Sequence, residues 1–232
     1  GCVVDDIAAI DWSAPWLAPY RAQGQVIAAR MAWGGGVAMA LNQVPSSCPV
    51  RFVAQDELPT GMSYEVFVAE QRCVPTRDNL HDFFNGLIWL HHAEMKLEFN
   101  RLHTLEIERH GLRLRGRLRD ALTVLDENGA VLQAPAQLWQ ALRTRNWQAL
   151  FVGERALWSQ AKLTIIGHAL LEKLCNPRKP MCAHVVAVDQ WIDVPALRAK
   201  AFSPLPVLGV PGWWATNEEP SFYDDASVFR VS

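Results

Sequence analysis

The chain has 232 residues, half of them apolar, enough for one large domain or two small ones with a core that needs no staples. Its 22 Lys and Arg against 24 Asp and Glu leave a net charge of -2, so there is no global field for gathering nucleic acid or an anionic membrane. No apolar run reaches the roughly 18 to 20 residues that span a bilayer, and the five cysteines show neither a C-x-x-C pair nor zinc-ribbon spacing, which excludes the common structural zinc sites and a disulfide framework.

An odd cysteine count fits a reducing compartment, and no signal-peptide pattern opens the chain, so a soluble protein of the cytoplasm is expected. The start at Gly1-Cys2, without a methionine, reads as a tag remnant in preference to a lipoprotein trimmed before its cysteine. Ten tryptophans are about three times the usual share, and indoles of that number belong mainly in cores and interfaces.

The first 60 residues read as an irregular helical part, with short helices joined by Pro and Gly turns. In "SAPWLAPYRAQG" Ser13 is the expected N-cap with Pro15 just inside, and "WGGG" then breaks the pattern. Val50 to Ala54 is a strand candidate between turn residues, while "SYEVFVAEQ" reads equally as strand or helix. From Asn79 the spacing of Leu80, Phe83, Phe84, Leu87 and Ile88 predicts a helix with one buried face. A second helix is expected over roughly 94–109, closed by Gly111.

"GLRLRGRLRDALTVLDENGAVL" carries two patterns, an alternation of Leu and Arg that suits a strand and a stripe of Leu114, Leu118, Ala121, Leu122 and Leu125 that suits a helix. The helix is favoured, followed by a short strand Ala130 to Gln133; on the strand reading "ENG" becomes a hairpin turn. Helices are expected over 136–150 and 154–175, the second stopped by Pro177, then a buried strand His184 to Val188 and a short helix opening at Asp193. The last 30 residues, 203–232, have no period and read as an extended strap pinned by aromatics.

Without repeat, linker or charge run, the expectation is one α+β domain over 1–232, helix-dominated, with a few short strands.

Four stretches could carry chemistry. On the helix after Asn79, His81, Asn85 and His92 fall about 100 to 140 degrees from Leu80, on one flank of the apolar stripe, where imidazole and carboxamide can bind a metal or place a water. The plainer reading makes Asn79 the N-cap and Asp82 its reciprocal partner, spent on backbone N–H groups, and makes His91, projected into the apolar face, a hydrogen-bonded core or helix-end histidine. In "GHALLEKL" His168 and Glu172 stand at i and i+4, a carboxylate-oriented base or two metal ligands, against the alternative of an exposed helix pair.

The arginines at alternate positions 113, 115, 117 and 119 could hold a phosphate or carboxylate through bidentate bonds, with Arg117 and Asp120 as the binding candidates, and a basic strip is also the minimum for RNA contact; with Glu108, Asp120, Asp126 and Glu127 close by, an ordinary salt-bridged surface is the alternative. In "GVPGWWATNEEPSFYDD" Trp213 and Trp214, followed by Asn217, Tyr223, Asp224 and Asp225, could form a pocket with polar groups, or the indoles could anchor the strap, one facing in and one partly out. G-x-S-x-G, P-loop, Rossmann glycines and H-E-x-x-H are all absent, which removes the enzyme classes most readable from sequence.

Taken together, "VPTRDNLHDFFNGLIW", "RDALTVLDENGA", "GHALLEKL" and "LPVLGVPGWWATNEEPSFYDDASVFR" resemble a bacterial family, domain of unknown function 3025, over most of the chain. The resemblance implies membership and carries no activity, cofactor or fold with it. His81, Asn85, Asp120, His168 and Glu172 fall within the shared motifs, whereas relatives carry Phe-Pro where this sequence has His91-His92, and a proline there would end the helix near Leu90.

Two functions are therefore expected as alternatives. One is a hydrolase-like or metal-assisted enzyme with His168 as base, Glu172 as its orienter, His81 as ligand or acid, and Asn85 nearby. The other is a non-catalytic binding protein using the Trp-rich strap or the arginine strip. The sequence names no cofactor and no particular metal; a small molecule or a protein suits its charge better as partner than nucleic acid, and a membrane does not suit it.

Overall fold

The computed structural model describes residues 1–190 and 193–231; the chain is α+β and forms two compact units. The first comprises Gly1–Ser13 and Leu17–Thr123, the second Ala14–Trp16 and Val124–Ser232. Among the described residues no helix is long and apolar enough to cross a membrane.

In the first unit α1 (Val3–Ala8) and α2 (Arg21–Met31) lead to α3 (Val37–Asn42). Ser13 does not cap a helix: its hydroxyl and its N–H both donate to Asp11 Oδ1, closing a local turn, and the segment Pro15–Tyr20 is a 3-10 helix. The break at "WGGG" is conformational, since Gly34 and Gly35 take φ of 102° and 89°, which a side chain would resist.

Strands β1 (Arg51–Ala54) and β2 (Cys73–Thr76) pair in parallel, Arg51 opposite Cys73, and α4 (Tyr64–Gln71) makes the crossover between them. This resolves "SYEVFVAEQ" as a helix. Ser63 accepts the Val66 N–H at its start, and Arg72 ends it at φ 53°.

α5 (Leu80–His91) begins as its spacing predicts, with Asn79 Oδ1 accepting the Asp82 N–H at 2.8 Å. Phe83, Phe84, Leu87 and Ile88 are fully enclosed, each worth roughly 1.5–3 kcal/mol of burial. Asp82 does return to the backbone, but to the Arg77 N–H at 2.6 Å, and it also takes a bidentate pair from the Arg77 guanidinium. α6 (Ala93–His110) ends at Gly111, φ 78°, and buries Met95, Phe99 and Leu102 together with Lys96, Asn100, His103 and Glu106.

The ambiguous stretch becomes a helix, but only from Arg117: α7 runs Arg117–Asn128, and Leu112 and Leu114 stay exposed ahead of it. β3 (Gly129–Gln133) follows without a turn, so "ENG" is a helix end and not a hairpin.

The second unit is built on a four-stranded sheet in the order β4-β3-β5-β6, with β4 (Lys162–Ile165), β5 (Cys182–Ala187) and β6 (Ser203–Pro206). β3 is antiparallel to β4 and parallel to β5, and β6 is antiparallel to β5. The helix expected over 154–175 is not there: Arg155–Gln160 is a 3-10 helix, 162–165 is β4, and only α9 (His168–Lys173) is α-helical. A short apolar run satisfies both periods, and pairing of Leu163 with Leu132 decides for the strand. The helix expected over 136–150 ends early, as α8 (Ala136–Arg143), before a positive φ at Arg145.

After α10 (Val194–Arg198), capped by Asp193 as expected, β6 enters the sheet and the rest of the expected strap winds through 3-10 helices at 207–209, 215–218 and 220–224. Prolines prevent regular structure, and aromatics supply the packing. Phe151 stacks on Tyr223, ring centroids 4.8 Å apart, and lies edge-on to Phe229.

Candidate functional site

The chemistry in the second unit gathers where α7 gives way to β3. Gly129 makes the tight exit possible, because a Cβ there would sit 2.4 Å from the Leu125 carbonyl oxygen. Its own carbonyl accepts the N–H groups of both Ile166 and Gly167 at 3.0 Å, which ties the end of β4 to the start of β3. Gly167 is equally constrained: a Cβ would meet the Glu127 carbonyl oxygen at 2.5 Å. These contacts seat His168, the first residue of α9, against the last turn of α7.

The His168 side chain is only 6% exposed, and each ring nitrogen faces a different carboxylate. Asp126 Oδ2 lies 3.9 Å from Nδ1 and Glu127 Oε1 lies 4.0 Å from Nε2. Both separations exceed a direct hydrogen bond. The burial removes His168 from the exposed-pair reading of "GHALLEKL". Glu172, one turn further along α9, is half-buried, and its charge acts together with burial, the larger cause, to push the Cys175 thiol up to about 11.

In the first unit His81 and Asn85 stand one turn apart on α5, both half-buried. Asn85 Oδ1 accepts from Lys96 Nζ at 2.8 Å, and its Nδ2 lies 3.5 Å from the Tyr64 hydroxyl. His92 departs from the predicted flank. The backbone turns at His92, between α5 and α6, and its Nε2 pairs with the Tyr20 hydroxyl at 3.0 Å. His91 packs edge-on against Tyr20, and burial lowers its pKa. Its Nε2 is enclosed and finds no hydrogen-bond partner among the described residues, so the hydrogen-bonded role expected for it is not met at that atom.

The arginines do not form one strip. Arg113, Arg115 and Arg117 are exposed, and Asp120 is exposed with Arg115 Nε 3.6 Å away, but Arg119 turns inward. Its Nε donates to His103 Nδ1 at 3.1 Å and its terminal nitrogen reaches Glu65 Oε1 at 3.2 Å. Burial opposes ionisation of Glu65, yet hydrogen bonds from its own backbone N–H and the Ser63 hydroxyl, with the charges of His103 and Arg119, outweigh it and hold the carboxyl below its ordinary value.

Around the tryptophan pair, Trp213 is half-buried with its ring 6.1 Å from Trp16, while Trp214 is exposed, the in-and-out arrangement of an anchor. Neighbouring polar groups are spent on the chain itself. Asn217 donates to the carbonyls of Leu208 and Val210 and accepts from Arg155, and the Tyr223 hydroxyl donates to the Gly209 carbonyl at 2.6 Å. Asp225 accepts from the Ser227 hydroxyl and N–H and lies 3.5 Å from Lys179, contacts that hold its carboxyl low, the hydroxyl bond foremost.

The sequence grouped Asp126 and Glu127 with the arginines and did not associate them with His168. No local signal could have done so, because β3, α8 and β4 all lie between them in the chain and the β3–β4 pairing brings them together. Lys96 went unremarked for a different reason, since its burial beside Asn85 depends on the α5–α6 corner.

Comparison with curated proteins and with solved structures gave no significant match. A family model described as protein of unknown function (DUF3025) matches residues 50–232, most of the chain and all four of the resembling stretches. On that match the chain belongs to the DUF3025 family.

Proposed function

We propose that the protein is a metal-assisted, hydrolase-like enzyme. The observation that carries this reading is the buried His168 imidazole with a carboxylate at each ring nitrogen, 3.9 and 4.0 Å away. Such a group is expensive to bury without a task. His168 Nε2 and Glu127 Oε1, both in the second unit, are assigned as ligands, an imidazole and a carboxylate that suit Zn²⁺ and other divalent transition metals.

His168 Nε2 and Glu127 Oε1 lie 4.0 Å apart, and the Glu127 side chain, 40% exposed, would adjust its rotamer to share an ion with the imidazole. A divalent ion held there would supply a water of pKa about 7 as nucleophile and would polarise a carbonyl or phosphoryl oxygen. Glu172, one turn further along α9, is assigned to orienting substrate or proton transfer. The expected setting is the cytoplasm, where the five thiols stay free.

The binding-protein alternative has narrower support. Trp214 offers an exposed indole, but the polar groups around it are consumed in holding the chain.

The test is elemental mass spectrometry on untagged protein beside Glu127→Gln and His168→Ala. Near-stoichiometric metal in the parent, lost in both variants with circular dichroism unchanged, is the expected result. A metal-free parent that takes up no added divalent ion would sink the reading.

A further inference from the structure

We infer that residues 109–117, the segment that joins α6 to α7, dock an acidic, extended peptide of a partner protein: its carboxylates pair with Arg109, Arg113 and Arg117, and its apolar side chains cover Leu112 and Leu114. The surface lies wholly within the first unit and is independent of the metal reading.

These nine residues hold four arginines and no carboxylate, with Glu108 and Asp120 flanking them, in a chain whose net charge is -2. All nine are exposed. Arg115 is engaged, its guanidinium bonded to the Thr123 hydroxyl and 3.6 Å from Asp120, but Arg109, Arg113 and Arg117 have no hydrogen-bond or ion-pair partner among the described residues. Like charges at this spacing repel one another, and Arg117, the first residue of α7, stands at the helix end that disfavours a cation. Carboxylates supplied from outside relieve both, and the guanidinium fork takes them in bidentate pairs.

Leu112 and Leu114 are 51% and 60% exposed, an apolar pair set among these cations. RNA would leave both leucines unused, and the segment offers only His110 as a ring on which bases could stack. The backbone separates a peptide from a lipid surface. Residues 112 and 113 form a bend, 114–116 have no regular structure, and no backbone N–H or carbonyl from 112 to 115 is hydrogen-bonded among the described residues. An extended peptide pairs with such groups as an added strand, whereas lipid leaves them bare. The alternation of Leu and Arg, which the fold leaves unused, suits a strand whose own side chains alternate between apolar and acidic. Room for it exists at both ends, because a Cβ built at Gly111 or Gly116 meets no atom within 4 Å.

The experiment uses the full chain and short fluorescent peptides in which Glu alternates with Val, Leu or Phe, beside controls with Gln for Glu and with Ser for the apolar residues, read by fluorescence anisotropy. Polyuridine RNA and phosphatidylserine vesicles are titrated in parallel, and amide hydrogen exchange is followed with and without peptide. Binding should weaken as salt rises from about 0.01 to 0.15 M. Arg113→Gln and Arg117→Gln should each weaken it roughly two- to fivefold, and Leu112→Ser combined with Leu114→Ser about tenfold. Exchange at 112–115 should slow only with peptide bound. All four side chains are exposed, so the variants should melt with the parent.

No binding of any alternating peptide at about 1 mM would overturn the inference. So would binding that survives the arginine and leucine substitutions, or binding without protection of residues 112–115. Tighter binding of RNA or of vesicles through the same residues would overturn it too, and would assign the surface to nucleic acid or to lipid.

Discussion

Arg119→Met removes the guanidinium from the buried triad in the first unit while keeping most of the side-chain volume. Arg119 is 3% exposed, donates to His103 Nδ1 at 3.1 Å and to Glu65 Oε1 at 3.2 Å, and joins α7 to α6 and α4. Breaking one side of a buried ion pair costs about 3–5 kcal/mol, because the remaining charge stays out of water unpaired. Glu65 keeps the Ser63 hydroxyl at 2.9 Å, and its side chain is 23% exposed, which places the loss near the lower end, about 3 kcal/mol. For a chain of this size that corresponds to a fall in melting temperature of about 6–12 °C.

The assay is urea unfolding followed by circular dichroism for the parent, Arg119→Met, Glu65→Gln and the double variant. The two changes should couple by about 2 kcal/mol, since neutralising Glu65 removes the charge that Arg119→Met strands. Glu65 has its carboxyl lowered in the folded protein, so its contribution is complete above the ordinary value of 4.5 and is lost as pH falls through the folded value. The gap between parent and Arg119→Met should therefore narrow below pH 4.5. Independent, additive effects of the two substitutions, or a gap that is unchanged on acidification, would refute the reasoning.

Gly167→Ala drives a methyl into backbone atoms of Glu127 and Asn128, 2.5 and 2.6 Å away, and should cost about 1–3 kcal/mol while shifting His168; a melting temperature and zinc affinity equal to the parent's would contradict the seating described. Asn217→Ala strands the Leu208 and Val210 carbonyls and one donor of Arg155, a loss of about 2–3 kcal/mol, with limited proteolysis first cutting after residue 203. Proteolysis no faster than the parent's would show that these bonds do not hold the segment. Burial lowers the pKa of His184 below 6.5, so the folded state binds fewer protons there than the unfolded chain, and stability should fall as pH drops from 6.5 toward the folded value. In His184→Phe the urea midpoint should depend less on pH over that interval, and an unaltered slope would assign the effect elsewhere.

By itself the sequence determined the helices that carry their own instructions. Asn79 with its i, i+3, i+4 apolar series defined α5, and Gly111 marked the end of α6, because a cap and a buried stripe are local features that tertiary contacts reinforce. Asp193 and the β5 run were legible for the same reason. Family membership was legible too, from motifs lying in these well-specified stretches.

Tertiary structure decided everything that depends on a partner distant in the chain. Residues 162–165 have an apolar pattern that fits a helix as well as a strand, and only hydrogen bonds to β3 make them β4. That strand in turn brings His168 to Asp126 and Glu127, whereas the sequence offered Glu172, its neighbour at i+4, as the carboxylate. Arg119 and Arg117 look alike in the sequence, yet one is enclosed by His103 and Glu65 and the other faces solvent, because a helix rotates adjacent side chains by about 100 degrees and only packing says which direction is inward.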